Sequence, residues 1–201
     1  MRCRWTTLLL VVLTACVPYS NLPLTPPDKD AIDPSVLGTW FWNEAQEAGY
    51  IHIGLDERSG LLRVMMLSFD GEMELDVSEF SGHTSTVSGN RYLNLRWVRP
   101  AEEDSGYLFI KYDAKGDKLG IALMDSDAVE TAIERGSLQG EVKKANWTST
   151  VRITAAETDL QQFVLRHDKE LFPEMKYLPR LHLPPMPSET AVQSGSAQVP
   201  R

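Results

Sequence analysis

Glu72-Met73-Glu74-Leu75-Asp76-Val77-Ser78-Glu79-Phe80 alternates polar and apolar residues from Glu72 to Ser78. Met73, Leu75 and Val77 share one face, and Glu72, Glu74, Asp76 and Ser78 share the other. Successive side chains of a strand point to opposite faces, so the stretch predicts a strand with one buried and one wet face. The same period recurs on both sides of it. Ile51, Ile53 and Leu55 align within Tyr50–Leu55, and Leu93, Leu95 and Trp97 align within Arg91–Arg99. Leu108, Ile110 and Tyr112 align in the next segment, and Leu119, Ile121 and Leu123 in the one after.

The links between these runs are short and carry turn residues: Asp56-Glu57-Arg58-Ser59-Gly60, Asp70-Gly71, Ser88-Gly89-Asn90 and Ala114-Lys115-Gly116-Asp117. Glycine, Asn and Asp supply the positive φ that tight hairpins need, so sequential neighbours are antiparallel. About nine strands are expected between residues 37 and 155, the spacing of a barrel or sandwich. Two helices are expected. The first runs from about Ala128 to Arg135, capped by Asp127 and ended by Gly136. The second follows Thr154 as its cap, with Leu160, Phe163 and Val164 forming a stripe that packs on the outside of the sheet.

The flanks differ in composition. Pro18, Pro23, Pro26, Pro27 and Pro34 punctuate residues 16–35, which predicts a flexible tether. Residues 173–201 are proline-rich and then polar, and are expected to be a largely disordered tail. The domain proper spans residues 36–172.

Residues 1–15 read as a secretory leader. Arg2 and Arg4 precede the apolar run Leu8-Leu9-Leu10-Val11-Val12-Leu13, which is too short to span a bilayer permanently. Its end, Leu13-Thr14-Ala15-Cys16, resembles the lipobox of bacterial lipoprotein precursors. That resemblance implies cleavage before Cys16, S-diacylglycerol on its sulfur and N-palmitoyl on its amine, so that covalent lipid attaches the chain to a membrane. Val17 follows where an aspartate favours inner-membrane retention in that family, which implies the outer membrane, facing the periplasm.

Composition narrows the function classes. The 201-residue chain carries a net charge of -8, and loss of Arg2 and Arg4 with the leader makes it about -10. An acidic domain without a Lys/Arg stripe is not built for nucleic acid. The only cysteines are Cys3 and Cys16, which leaves no thiol for a disulfide, a metal or a nucleophile once one is removed and the other acylated.

Four histidines are dispersed. His52 is expected to face away from the apolar face of its strand, His83 to lie in a turn and His167 at a helix end, and none, His182 included, has metal-site spacing. Ser81-Gly82-His83-Thr84 is not a triad, and no nucleophile elbow, phosphate loop or dinucleotide fingerprint appears. The row Glu72, Glu74, Asp76 reads as solvated charge, and Asp113–Asp117 and Asp125 with Asp127 as hairpin and cap chemistry. Asn146-Trp147-Thr148 matches a glycosylation sequon without consequence in a bacterial envelope. No enzyme, metal or cofactor is expected.

Leu37-Gly38-Thr39-Trp40 at the first strand, an antiparallel meander and a helix after the last strand resemble the lipocalin-like family over residues 36–172. That resemblance implies a mainly β, antiparallel meander barrel with a short inserted helix and a C-terminal helix. It implies that Trp40 closes the barrel floor and that an arginine near the last strand lies across it, with Arg152 the candidate. An eight-stranded barrel either fills its interior or holds one small ligand. Met65, Met66, Phe69, Trp97 and Phe109 are the wide apolar positions from which either a pocket or a filled core is built. Two functions follow: a lipid-anchored protein whose barrel binds a small apolar ligand or a partner protein, or a structural lipoprotein with a filled barrel in an envelope complex.

Overall fold

The computed structural model describes residues 17–44, 47–69, 74–99, 106–144 and 149–182. It is mainly β. In chain order the strands are β1 (Tyr19–Ser20), β2 (Gly38–Asn43), β3 (Ala48–Asp56), β4 (Leu61–Phe69), β5 (Leu75–Val87), β6 (Asn90–Arg99), β7 (Leu108–Lys115), β8 (Lys118–Leu123), β9 (Gly140–Lys144), β10 (Ser149–Ile153) and β11 (Lys176–Pro179). The helices are α1 (Ser126–Glu134), α2 (Glu157–Arg166) and α3 (Asp168–Leu171).

Eight strands form one antiparallel sheet in the order β11-β8-β7-β6-β5-β4-β3-β2. The sheet curls until Arg180, just past β11, meets Trp40 of β2 as an antiparallel bridge, and the Leu181 N–H donates to the Thr39 carbonyl at 2.8 Å. The result is a nearly closed, lipocalin-like meander barrel. Among the described residues nine strands do lie between residues 38 and 153, but only seven of them build it. The other two, β9 and β10, join β1 in a separate three-stranded sheet. The eighth barrel strand comes after the helices, from the segment whose prolines predicted a tail. Pro179 sits at the end of β11, where a missing N–H is tolerated.

The turns follow their residues. Ser88 (φ 49°) and Gly89 (φ 84°) make the two-residue β5–β6 turn with both φ positive, and Gly116 (φ 55°) turns β7 into β8. Asp125, rather than Asp127, caps α1 by accepting the Ala128 N–H at 2.8 Å, and Gly136 (φ 71°) ends it. The cap of α2 is Ala156 with no side-chain bond, so Thr154 does not serve there.

Two apolar clusters divide the molecule. The first fills the barrel: Val36, Trp40, Trp42, Ile53, Leu62, Val64, Phe80, Leu93, Leu95, Leu108, Tyr112, Leu119 and Leu178 are all buried. The second lies outside, between β6–β8 and the covering layer of helices and small sheet. Tyr92, Phe109 and Ala122 meet Leu160, Phe163, Val164 and Leu171 there, as the helix stripe predicts. Burying each such side chain contributes about 1.5–3 kcal/mol.

The segment expected as a tether is part of this outer layer. Pro18, Ser20 and Leu24 are buried. Tyr19–Ser20 pairs in parallel with Arg152–Ile153, and the Leu24 N–H donates to the Oδ1 of the wholly buried Asn94 at 2.8 Å. Prolines interrupt regular structure, but they also fix an extended chain at low entropic cost, and here that chain runs along the barrel wall.

The stretch that predicts the fold is a strand with its faces assigned differently. Leu75 and Val77 pair with Phe69 and Leu67 on the outward face and are 54% and 46% exposed, while Ser78 and Phe80 turn inward. Glu72 and Met73 lie outside the described residues. Alternation establishes that one face is apolar. It does not establish that a second layer covers that face.

Candidate functional site

The barrel floor is built at the start of β2. Trp40 is fully buried and donates its indole N–H to the Val36 carbonyl at 2.9 Å. The guanidinium of Arg180 lies 4.0 Å from the centroid of the Trp40 ring and donates from Nη1 to the Leu37 carbonyl at 2.7 Å. Gly38 has φ 136°, and a Cβ there would collide with that guanidinium. The Gly-x-Trp spacing thus has a local cause: the glycine leaves room for a cation that covers the tryptophan two residues on.

Arg152, the sequence candidate for that cation, sits elsewhere. It is on β10 of the small sheet, with its guanidinium 4.9 Å from the Tyr19 ring and Nη2 3.3 Å from the Tyr19 hydroxyl. Both arginines follow a short strand-forming segment, Ser149-Thr150-Val151 and Tyr177-Leu178-Pro179. Arg180 was hidden because its run, Tyr177-Leu178-Pro179, ends among prolines.

The interior above the floor is occupied. The Trp42 ring lies against the backbone of Gly49, where any Cβ would overlap it. Phe80 and Trp97 pack with ring centroids 4.3 Å apart. Of the five wide apolar positions, Met66 and Trp97 belong to this interior cluster. Met65 and Phe69 point outward by the β4 register, and Phe109 is buried on the helix side.

Charged groups gather at the two barrel ends. At the floor end, Asp33 accepts from the Ser35 N–H at 2.9 Å, the Tyr112 hydroxyl at 2.9 Å and Arg91 at 3.2 Å. Burial raises its pKa, but those donors and the arginine charge outweigh it and hold the carboxyl below the usual range. The Tyr112 phenol is pushed up, first by burial and then by its bond to Asp33. At the mouth, Lys176 pairs with Glu44, and Glu47 is raised by burial and by the Glu44 charge.

Clefts indent the surface formed by the described residues. One of about 360 Å³ lies among α1, α2 and α3, with Ala132, Phe163 and Leu171 among its apolar walls and Arg135, His167 and Glu170 among its polar ones. Another, of about 270 Å³, adjoins His83, Arg96, Trp97 and Tyr107. Comparison of the chain with family models, curated proteins and solved structures gave no match.

The histidines are held in structural roles. His83 lies within β5 rather than in a turn. It is 1% exposed, with Nε2 2.8 Å from the Thr25 carbonyl, and burial lowers its pKa. His52 Nδ1 is 2.9 Å from the Thr39 hydroxyl on the outer face. His167 is the C-cap of α2, 3.0 Å from Glu170, and His182 lies 3.5 Å from Asp117. Asp113 pairs with Arg91 and Lys115. Among the described residues no three His, Cys, Asp or Glu side chains converge as metal ligands, and no helix is long and apolar enough to cross a membrane. Cys16 and the Asn146-Trp147-Thr148 sequon lie outside the described residues.

Proposed function

We propose that this chain is a lipid-anchored envelope lipoprotein, cut before Cys16, S-diacylglycerylated and N-palmitoylated there, and held at the outer membrane facing the periplasm. In this reading the barrel is a solid scaffold that works within an envelope assembly. The lipobox Leu13-Thr14-Ala15-Cys16 supports the attachment. Several acyl chains anchor durably where one anchors marginally.

The packed interior is the observation that carries the scaffold role. An apolar carrier needs empty space between Trp40 and Trp97, and that space holds Trp42, Ile53, Leu62, Val64, Phe80, Leu93 and Leu95. No catalysis is assigned, because the buried histidine is engaged by a backbone carbonyl and the buried or half-buried carboxylates Asp33, Glu79 and Asp168 each face a cation. Gentle extraction followed by native mass spectrometry tests the choice. The scaffold reading expects the mass of the acylated polypeptide with no further small molecule. A stoichiometric apolar ligand that survives delipidation would refute it. Globomycin, or Cys16→Ser, is expected to block maturation and to release the chain from the membrane fraction. Unaltered processing and sedimentation would refute the attachment.

A further inference from the structure

The outward face of β2–β5 carries an apolar patch. Phe41, Tyr50, Leu67 and Val77 form one cross-strand row, and Phe69 with Leu75 forms the next. Leu75, Val77 and Tyr50 are 54%, 46% and 40% exposed, far more than core residues of their type. The covering layer does not serve this patch, because its cluster meets the barrel through Tyr92, Phe109 and Ala122 of β6–β8.

The patch lies at one end of the barrel. β4 ends at Phe69, β5 begins at Leu75, β6 ends at Arg99 and β7 begins at Leu108, so antiparallel pairing brings these four termini together. The N-terminal segment starts at that same end. Ser20 bridges Tyr107, immediately before β7, and Val17 packs against the interior cluster.

There is almost no slack between this end and the anchoring residue. Pro18 is buried and Ser20 is wholly so. Only Val17 separates Cys16 from Pro18. Two residue steps of extended chain reach about 7 Å at most, so acyl chains on Cys16 bring the barrel mouth onto the bilayer surface itself.

We infer that the acylated chain sits mouth-down on the membrane, and that the outward side chains Leu67, Phe69, Leu75 and Val77 enter the lipid interface as a second, non-covalent hold. This rests on the acylation of Cys16 proposed above. The partner is a lipid surface of low charge, since a mature chain of net charge about -10 is repelled by anionic headgroups.

The test uses the full chain, matured and acylated in cells, whose mature form carries no free thiol. Single cysteines replace Leu75 or Val77 and, at the opposite end, Glu57 or Lys118. Each is labelled with an environment-sensitive fluorophore and reconstituted in phosphatidylcholine vesicles with and without doxyl-labelled lipid. Labels at 75 and 77 are expected to shift to the blue and to lose at least half their emission to doxyl lipid, while those at 57 and 118 lose under a tenth. Equal quenching at both ends overturns the orientation. So does protection at 75 and 77 without lipid quenching in a chain that sediments as a dimer, which assigns the patch to a second copy. The mass of the mature N-terminus separates the two layers of the argument. An unacylated Cys16 removes the attachment itself, whereas an acylated chain with unquenched labels removes only the docking.

Discussion

Replacing Arg180 by alanine removes the cation over Trp40 and the donor to the Leu37 carbonyl in one step. Trp40 is fully buried and Arg180 half-buried, so the cation–π contact falls toward the desolvated end of its range, about 2 kcal/mol. The charged hydrogen bond at 2.7 Å adds about 1 kcal/mol at this partial exposure. The expected destabilisation is about 3 kcal/mol. For a domain of this size each kcal/mol moves the midpoint by about 2–4 °C, so a fall of about 6–12 °C follows. Arg152→Ala removes a contact with a half-buried tyrosine at the edge of the small sheet, and about 1 kcal/mol is expected. Urea titration followed by tryptophan fluorescence reads both on a common m-value. Lysine at 180 should recover little, because an ammonium neither stacks nor reaches the carbonyl in the same plane. An Arg180→Ala loss below about 1 kcal/mol would refute the assignment of the floor cation.

Gly38→Ala forces a β-carbon into left-handed backbone and against Arg180, and should cost about 2–3 kcal/mol by the same titration. His83 has a lowered pKa, so the unfolded chain binds its proton more readily. Stability should therefore decline as pH falls below about 6.5 toward the depressed native value, with the slope reduced in His83→Gln; an identical slope in that variant would contradict the reading. Asp33, whose pKa is lowered, stabilises the fold above the ordinary carboxylate range and loses that contribution as pH drops below about 4. Asp33→Asn should flatten the acid limb of the thermal profile and lower the midpoint at pH 7. Asp168→Asn breaks the Lys111 ion pair at 2.5 Å while keeping an acceptor for the Tyr92 hydroxyl, and should loosen α3 enough for faster amide exchange at Leu171 and Phe172.

Alternation located five of the seven barrel strands between Gly38 and Leu123; β2 was read from its Gly-x-Trp setting and β4 only from the turn residues 56–60 before it. The side on which each strand is covered was not. Leu75 and Val77 carry the same signal as Leu93 and Leu95, yet the first pair faces outward and the second fills the barrel. Their difference arises from which distant segments fold over the wall, and local period carries no trace of that. The proline-marked ends misled for a related reason. Residues 18–36 and 176–181 lack a regular period, but both find partners far along the chain: Asn94 for Leu24, and Thr39 for Leu181. The Gly-x-Trp setting marked Trp40, which is fully buried under an arginine. Its covering cation was not legible, because Arg152 and Arg180 differ only in which strand closes the ring. The helix faces were readable because three of their apolar residues, Leu160, Phe163 and Val164, repeat at helical spacing and meet one surface.

The late position of β11 sets the order in which the molecule can be finished. Until Lys176–Pro179 has emerged, β8 and β2 each present a row of unmated amides and carbonyls, the borders along which foreign strands add. A chain arrested or clipped ahead of residue 176 is therefore sticky along two seams, however complete its meander. Delivery of residues 176–181 is the event that seals them, and the ring stays open until this latest strand arrives.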